Sequence, residues 1–331
     1  MPDVIIPTGY KSLLNLYETQ VAIGELKSIF SQALAKGLHL KRVSAPLFVD
    51  PFTGLNDDLN GIDRPVSFTV KETGEKAEIV QSLSKWKRLA LHKYDFHVGN
   101  GLYTDMNAIR RDDEMDNLHS VYVDQWDWEK VITPADRNLE YLQQTVETIV
   151  EAINQTIDEI TDRYPILRSK LHKYPVKFIT SKDLLDIYPN LPPKQRENAI
   201  TKKYQCVFIM QIGGDNHEKR APDYDDWLLN GDLLLWSEVL EKAVELSSMG
   251  IRVNSETLAD QLKKSDCGHR QDMYFHKMLL EGKLPQTVGG GIGQSRLAML
   301  LLQKAHIGEV QVSLWDEETT NRCNEAGIML L

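Results

Sequence analysis

One glycine-rich stretch places a single arginine at the start of a predicted helix. Residues 288–303 read VGGGIGQSRLAMLLLQ, so four glycines precede Arg296 and an apolar run. Glycines before a helix N-terminus let a ligand approach the backbone and face the positive end of the helix dipole. An arginine in the first turn is electrostatically unfavourable unless it stacks on or pairs with a ligand. A flexible turn followed by a surface arginine is the alternative interpretation.

A second stretch, VDQWDWE at residues 123–129, alternates polar and aromatic side chains. Because side chains alternate along a strand, Gln125 and Asp127 share one face and the two tryptophans lie on the other. An amide beside a carboxylate on an apolar sheet suits recognition of an ammonium or amino group. A solvated sheet face is the alternative.

Basic side chains lie close to this strand in sequence. The preceding strand ends with Arg110 at the edge of a loop, where a guanidinium can hold a phosphate or a carboxylate in its fork. The stretch QSLSKWKR places Ser82 and Lys87 five positions apart, although alone it would be typical of a basic helix face. Arg252 follows two serines and a glycine on a predicted strand, ELSSMGIR.

Carboxylates follow in neighbouring segments. Asp223, Asp225 and Asp226 lie in PDYDDW, Asp232 in NGD, and Glu245 precedes the serines of ELSSMGIR. Such clusters often bind Mg²⁺ together with substrate phosphates. Helix caps and surface loops are the alternative for the three aspartates of PDYDDW.

Together these groups supply cations for anionic ligands, carboxylates for a metal ion or an amine, and a glycine-lined helix. This is the inventory of a site for a nucleotide and an amino acid. The histidines show no metal-ligand spacing, and His119 beside Ser120 does not make a triad, so nucleophilic serine or cysteine catalysis has little support.

Composition limits the class of protein. The chain has 331 residues, 42% hydrophobic and 26% charged, which is typical of a globular protein. A net charge of −10 without a basic run argues against a nucleic-acid partner. The three cysteines are scattered, which favours reduced thiols, and we expect no membrane segment and no secretion signal. The cytoplasm is the expected location.

The elements that must position these residues indicate an α+β fold with an antiparallel sheet flanked by helices, because strands cluster in runs. We expect a helix over 10–36 that Gly37 ends, then a strand over 38–50 that Pro46 confines to an edge. Strands 65–71 and 76–83 flank a turn, and strands 102–110 and 119–130 form an antiparallel pair.

The second half of the chain supplies the remaining elements. The expected helices cover 137–165, 181–189, 192–204, 255–266, 271–282 and the apolar run after the glycines, and the expected strands cover 206–214, 232–236, 243–253 and 309–315. No long linker divides them, so residues 1–331 are expected to form one domain.

These residues resemble known sequence motifs. The first helix with Pro46, the strands from Arg110 to Glu129, and GIGQSRLAMLLL resemble the three motifs of class II aminoacyl-tRNA synthetases, within which the aspartyl branch is the finer match. The strings HSVYVDQWDWEKV, ENAITK, RAPDYDDW, ELSSMGIRV and GGGIGQSR are similar to ammonia-dependent asparagine synthetases nearly end to end. The short loop at 215–232 is the main departure.

The resemblance implies an ATP-dependent ligase with two half-reactions. The β-carboxylate of aspartate attacks the α-phosphorus of ATP, which gives β-aspartyl-AMP and pyrophosphate, and ammonia then displaces AMP to give asparagine. Arg110 is expected to grip the α-phosphate, Arg296 to stack on adenine, and Asp232 and Glu245 to bind Mg²⁺. A homodimer is also implied.

The aspartyl enzymes present the α-carboxylate to ATP, so a ligase that makes asparagine must hold aspartate reversed. We expect Lys87 and Arg252 to hold the α-carboxylate and Asp57, in the loop GLNDDLNG, to hold the α-amino group, with Asp58 as the less favoured neighbour. A loop-capping role is the alternative for Asp57. The predicted catalytic residues are Arg110, Lys87, Asp57, Gln125 and Asp127; the aspartate contacts are Asp57, Ser82, Lys87, Gln125, Asp127, Ser248 and Arg252; the ATP contacts are Arg110, Arg220, Asp225, Asp232, Glu245, Gly293 and Arg296.

The rival function is a class II aspartyl- or asparaginyl-tRNA synthetase paralogue that charges tRNA or binds RNA as a regulator. An aspartyl-tRNA synthetase carries an additional anticodon-binding domain, and the first motif here begins near residue 10, so we expect no room for one. Free ammonia is the expected nitrogen donor, because no glutaminase-like N-terminal cysteine is present.

Overall fold

The computed structural model describes residues 4–57, 59, 63–214 and 220–331. Within those ranges the strands build one large sheet and one small sheet. The strands are β1 Leu40–Arg42, β2 Phe48–Val49, β3 Ser67–Thr69, β4 Lys76–Ile79, β5 Gly101–Ile109, β6 Tyr122–Val131, β7 Lys177–Thr180, β8 Cys206–Met210, β9 Asp225–Ser237, β10 Lys242–Arg252 and β11 Thr287–Gly293.

The large sheet has the order β1-β5-β6-β11-β10-β9-β8-β7, and the small sheet has the order β2-β4-β3. Only the outermost pairs of the large sheet, β1 with β5 and β7 with β8, are parallel. The six strands between them run antiparallel, which confirms the predicted fold class. The glycine strand β11 therefore lies in the middle of the sheet, between β6 and β10.

Helices cover both faces of the large sheet. They are α1 Leu16–Leu38, α2 Ser84–Lys93, α3 Leu139–Arg163, α4 Ser181–Ile187, α5 Pro193–Tyr204, α6 Ser255–Lys264, α7 Tyr274–Leu280, α8 Gln294–Leu301 and α9 Glu317–Glu325. The long helices α1 and α3 pack with one face of the sheet in the main apolar core. Helices α6 and α7 belong to a second apolar cluster with strand β5.

The alternation predicted for strand β6 is confirmed. Trp126 and Trp128 are 1% and 0% exposed and lie in the main core, where the Trp126 ring is 4.6 Å from the ring of Phe30 on α1. Since neighbouring residues of a strand face opposite sides, Gln125 and Asp127 point away from that core. The tryptophans thus fix which face of the sheet carries the polar side chains.

Three expectations about local structure are wrong. The first helix begins at Leu16, because Asn15 and Glu18 form a capping box, and it passes Gly37 to end where His39 adopts φ 61°. The segment 38–50 forms two strands that belong to different sheets, with β1 at the edge of the large one.

The segment 309–315 is not a strand, although its apolar residues alternate. A short 3₁₀ helix occupies Ile307–Glu309. Gln311 then faces inward, where its amide donates to Asp124 and Ser295, while Val312 and Leu314 are 70% and 79% exposed. Of the alternating apolar residues only Val310 is buried, so the segment lacks the continuous apolar face of a packed strand. Helix α9, which the sequence did not indicate, follows it.

The other predicted elements are present with shifted ends. Strand β9 is longer than expected, because it begins at Asp225 and so includes Asp225 and Asp226 of PDYDDW. The glycine stretch is a regular strand and not a turn, and α8 begins directly after it with Gly293 as its N-cap residue. Within the described ranges, none of the helices combines the length and the apolar character needed to cross a membrane.

Candidate active site

A cavity of about 520 Å³ opens over the polar face of strands β6, β10 and β11. The loop between β5 and β6 and the start of α8 complete its walls. Its lining includes six of the residues predicted from the sequence: Arg110, Gln125, Glu245, Ser248, Gly293 and Arg296. The remaining predicted residues lie outside its lining and are taken in turn below.

The strand register explains why these side chains meet. Gly291 pairs with Ser248 on one neighbouring strand and with Asp127 on the other. Gln125 pairs with Gly293 on the same side of the sheet. A Cβ atom on Gly291 would lie 2.4 Å from the Gln125 amide oxygen, so only glycine leaves room for that side chain.

Arg252 occupies the centre of a buried ionic network next to this face. Its Nε is 3.0 Å from Glu129 Oε1, its Nη2 is 2.7 Å from Glu129 Oε2, and its Nη1 donates to Asp225. All three residues are at most 2% exposed. Although burial opposes it, Glu129 and Asp225 raise the pKa of Arg252, and Arg252 lowers the pKa of Glu129. These contacts use three of the five guanidinium N–H groups.

Lys87 is a second cation near Arg252, and it is fully buried. Its ammonium donates to Asp127 and, over 2.8 Å, to the carbonyl oxygen of Gly290. Burial lowers the pKa of Lys87, and the positive charge of Arg252 lowers it further, while Asp127 opposes both effects. The second carboxylate oxygen of Asp127 is buried and has no hydrogen-bond partner among the described residues. The alternatives of a solvated sheet face and of a basic helix face are therefore wrong.

The glycine strand makes this concentration of charge sterically feasible. A Cβ atom on Gly289 would lie 1.9 Å from Glu129 Oε2 and 2.7 Å from Arg252 Nη2. On the opposite face, a Cβ atom on Gly290 would lie 2.5 Å from the Cβ of Met249. The flexible turn considered from the sequence is thus wrong, and the glycines provide space within a regular strand.

Asp232 on β9 and Glu245 on β10 lie close together, although Asp232 pairs with Ser248 and Glu245 with Leu234 in the strand register. Both line a narrow cleft of about 20 Å³, and Asp232 Oδ1 accepts from Arg220 over 2.9 Å. Arg220 also contacts Asp225 and Ser248. Burial, together with the charge of Glu245, raises the pKa of Asp232 to about 6, although Arg220 lowers it.

Arg110 lines the cavity and rests on the backbone of the loop before α2. Its Nε and Nη2 are 3.4 and 3.3 Å from the carbonyl oxygen of Gln81, and Gln81 donates to the backbone oxygen of Asp57 over 2.7 Å. Asp57 is 4% exposed and accepts from the amide of Leu59, so a loop-capping contact is present. Asp58 lies outside the described residues.

Arg296 lies in the wall of the cavity, whereas Ser82 lies outside it. The Arg296 Nη1 donates to the backbone oxygen of Glu245 over 2.8 Å, and the side chain is half-buried in the cavity wall. The alternative of a surface arginine is therefore wrong. Ser82 lies outside the cavity lining, where its hydroxyl is 2.8 Å from that of Ser84.

The partners of two charged residues, Glu129 and Asp223, could not be recognised from the sequence. Glu129 was quoted only as part of a motif, yet it is the main partner of Arg252. Asp223 is fully buried and accepts from side chains that follow 47 and 53 positions later, Arg270 and His276. Contacts between residues so far apart in the sequence leave no local spacing pattern. The available local signal is the run of aspartates before the tryptophan in PDYDDW. The surface-loop alternative for PDYDDW is wrong, since Asp223, Asp225 and Asp226 are buried.

Comparison with known proteins identifies close relatives. A family model described as aspartate-ammonia ligase matches residues 17–327. An aspartate–ammonia ligase of Clostridium perfringens is 57% identical over 100% of both chains. One from Lactobacillus johnsonii is 52% identical over 99% of both chains.

Solved structures with the same fold are more distant in sequence. The asparaginyl-tRNA synthetase of Entamoeba histolytica with asparaginyl-adenylate has a TM-score of 0.68 at 14% identity, and the match covers 89% of this chain but 66% of that one. The aspartyl-tRNA synthetase of the same organism has a TM-score of 0.62 at 15% identity, covering 91% of this chain and 59% of that one. These likenesses establish the fold alone.

Replacing Gly289 by alanine tests the role of the glycine strand. We expect Gly289→Ala to lower the free energy of unfolding by about 3–5 kcal/mol, because the new methyl group displaces Glu129 and leaves Arg252 without its main partner. Urea denaturation monitored by tryptophan fluorescence measures the change.

Gly24→Ala is the matched control. Gly24 lies inside helix α1 with open space around its Cα, so alanine there should raise stability by about 0.5–1 kcal/mol. Equal unfolding curves for wild type and Gly289→Ala would contradict the steric argument.

Proposed function

The chain belongs to the aspartate–ammonia ligase family and makes L-asparagine from L-aspartate, ammonia and ATP, and we propose how its residues divide this work. The supporting observation is the convergence of Arg110, Gln125, Ser248 and Arg296 on one cavity beside the buried ionic network. An unactivated carboxylate is a poor acyl donor, so forming a β-aspartyl adenylate creates the leaving group before ammonia attacks. The protein supplies positioning and charge neutralisation.

ATP would occupy the cavity of about 520 Å³ over strands β6, β10 and β11. Arg296 would stack on the adenine ring from the first turn of α8, with Gly293 leaving room beside it. Arg110, on the opposite wall, would pair with the α-phosphate, where charge develops as the β-carboxylate oxygen attacks phosphorus. Arg220 and Asp225 would border the triphosphate end.

Aspartate would lie with its α-carboxylate toward Arg252 and Lys87. The guanidinium of Arg252 has two N–H groups beyond those that bind Glu129 and Asp225, and these suit a substrate carboxylate. The β-carboxylate would then point to Arg110. Asp57 and the unpartnered oxygen of Asp127 would accept from the α-ammonium group.

The remaining polar groups would fix the ends of the substrate. Gln125 and Ser248 lie on the polar face between the ionic network and the ATP cavity, so their side chains can contact aspartate and phosphate together. Ser82, two residues before the start of α2, would bind from the side of Lys87. Fixed donors and acceptors of this kind reduce the entropy cost of bringing the carboxylate and the phosphorus together.

Magnesium fits the pair Asp232 and Glu245. Mg²⁺ is usually held by one or two carboxylates with substrate phosphates and water in the other positions. Burial, and to a lesser extent the charge of Glu245, raises the pKa of Asp232, so a bound cation would stabilise its ionised form. No group of three or more metal-binding side chains exists among the described residues, which agrees with a site that substrate completes. Bound magnesium would neutralise the phosphate charge.

We also propose a homodimer in the cytoplasm. Leu16, Tyr17 and Val21 are 47%, 79% and 39% exposed at the start of α1, so this helix offers an apolar surface for a second copy. Light scattering should therefore give a mass of two chains. All three cysteines are free, in agreement with a reducing compartment.

The products identify the reaction. Incubation with ATP, Mg²⁺, aspartate and ammonium should yield asparagine, AMP and pyrophosphate in equal amounts without tRNA, as measured by mass spectrometry. Formation of ADP and phosphate would contradict an adenylate. Formation of aspartyl-tRNA after addition of tRNA would favour the rival function, which the full-length relatives do not support.

Asp57→Asn tests the orientation of aspartate. Removing the negative charge of Asp57 takes away one of the two anions proposed for the buried ammonium group, so aspartate-dependent exchange of pyrophosphate into ATP should fall at least about a hundredfold. ATP binding should stay close to that of wild type. The control is Asp50→Asn, because Asp50 caps a short helix in the same region and asparagine caps equally well. Near-normal exchange by Asp57→Asn would refute this contact.

The pH dependence of metal binding tests Asp232. A carboxyl with a pKa of about 6 must lose its proton to bind a cation, so Mn²⁺ affinity, measured by water-proton relaxation, should weaken as pH falls through 6. Asp232→Asn should bind weakly at every pH. Glu238→Gln, at an exposed position just past the end of β9, should retain the wild-type profile. A flat wild-type profile between pH 5 and pH 8 would contradict the assignment.

A further inference from the structure

One end of the cavity of about 520 Å³ is apolar and lies beside Arg296. Leu118 and Ile307 line this end, and both are 5% exposed. The Arg296 Nε donates to the backbone oxygen of Leu118 over 3.4 Å, and the amide of Ile307 donates to the backbone oxygen of Asn117 over 2.8 Å. These contacts bring the segment that follows α8 next to the part of the loop that touches the arginine.

Gln311 belongs to the same wall of the cavity and is 4% exposed. Its Nε2 is 3.2 Å from Asp124 Oδ1 and 3.1 Å from Ser295 Oγ. Ser295 directly precedes Arg296 in the first turn of α8. The Gln311 amide therefore lies close to the arginine that is proposed to stack on adenine.

Asp124 fixes which end of this amide is turned toward it. Its carboxylate accepts from Lys27 Nζ over 2.9 Å and from the backbone amide of Ser295 over 3.1 Å. Since a carboxylate in such contacts offers only acceptors, the Gln311 side chain must present its NH₂ group to it. Both amide hydrogens of Gln311 are then used, and its Oε1 faces away from Asp124 and Ser295.

The Oε1 atom of Gln311 is a buried acceptor, and it has no hydrogen-bond partner among the residues that the structure describes. Within that part of the chain, no other side chain that lines the cavity has a buried polar atom without a partner. An unpaired buried acceptor lowers stability, so its presence in a binding cavity indicates a ligand that supplies the hydrogen.

We propose that Gln311 Oε1 accepts a hydrogen bond from the 6-amino group of ATP and thereby selects adenine over purines that carry a 6-oxo group. The inference deepens the proposed function and rests on the adenine site given there, beside Arg296. The flat faces of adenine suit the apolar walls formed by Leu118 and Ile307, and its amino group is a donor at the ring edge. A 6-oxo purine has an acceptor oxygen at that position, so no hydrogen would lie between it and Oε1.

The contact with Asp124 makes this selection one-sided. If the Gln311 amide turned over to donate to a 6-oxo group, its oxygen would face the Asp124 carboxylate, and both of its present hydrogen bonds would be lost. The amide orientation in the structure therefore accepts adenine, whereas a 6-oxo purine leaves two acceptors facing each other. Unpaired buried groups of this kind discriminate strongly between similar substrates.

Three nucleotides that differ only at position 6 test the inference in the wild-type enzyme. ATP carries an amino group there, purine riboside triphosphate a hydrogen, and inosine triphosphate an oxygen. All three give the same amino-acid product with aspartate, ammonium and Mg²⁺, so asparagine measured by mass spectrometry gives kcat/KM for each.

We expect kcat/KM for ATP to exceed that for purine riboside triphosphate about tenfold and that for inosine triphosphate about a hundredfold. Equal values for ATP and purine riboside triphosphate would overturn the inference and would assign a water molecule to Oε1. This series needs no variant, so it decides the inference even where a substitution prevents folding.

Gln311→Met separates recognition of the base from support of α8. Methionine has a similar volume without the amide, so kcat/KM for ATP should fall about tenfold while that for purine riboside triphosphate stays within about threefold of wild type. The ratio between these two nucleotides should approach one, and the discrimination against inosine triphosphate should shrink. An equal loss with all three nucleotides is the result of a purely structural role and would overturn the inference.

Gln294→Met is the matched control. The Gln294 amide donates to Asp105 over 2.8 Å at the start of α8, and the residue is 5% exposed, but it lies outside the lining of the cavity. The substitution removes a buried amide from the same helix, so it should keep the wild-type ratios among the three nucleotides whatever its overall rate. Loss of the ratios in Gln294→Met as well would show that the helix sets the preference, which also overturns the role of Gln311.

Arg296→Met distinguishes failure of the adenine site from failure of the inference. Stacking depends on the ring and not on its 6-substituent, so kcat/KM should fall by a similar factor with all three nucleotides. If Arg296→Met has no effect while Gln311→Met removes the ratio, the stacking is refuted and the assignment of Gln311 stands. If Arg296→Met lowers all three values and Gln311→Met keeps the ratio, the assignment of Gln311 fails and the adenine site stands.

Discussion

A fully buried arginine between two carboxylates is the interaction on which the site depends. Arg252 binds Glu129 on β6 and Asp225 on β9, so it joins strands that are separated by β11 and β10. Burying such charges is costly unless each one is paired, and loss of one partner typically costs about 3–5 kcal/mol. The pairing also fixes the guanidinium in space, so that its two remaining N–H groups need no further ordering.

The glycine strand and the tryptophan pair both allow the sheet to hold these buried charges. Gly289 leaves room for Glu129, and Gly291 leaves room for Gln125, so at these positions glycines separate two strands that carry polar side chains. Trp126 and Trp128 anchor β6 to the core on its opposite face. The sheet can therefore present charges on one face because the other face is held by large apolar contacts.

The α+β class, the antiparallel strand pair and the two faces of β6 could be predicted from sequence, because alternation and helical periodicity are local signals. The glycines were expected to leave room for a ligand, with a flexible turn as the alternative, because their steric role appears only when Glu129 and Gln125 are seen opposite them. The alternation that includes Val312 and Leu314 is typical of a strand, but alternation does not reveal whether the apolar side chains are buried. Both of these side chains are exposed. His276 escaped notice because its partner Asp223 lies 53 positions away.

The central claim is that fixed cations hold the α-carboxylate of aspartate, which leaves the β-carboxylate free to react. Binding of two aspartate analogues, measured by calorimetry, tests it directly, because each has an uncharged amide in place of one carboxylate. Asparagine keeps the α-carboxylate, whereas isoasparagine carries an amide at that position. We predict that asparagine binds at least about a hundredfold more tightly, because isoasparagine leaves Lys87 and Arg252 without an anion. Equal or tighter binding of isoasparagine would contradict the claim.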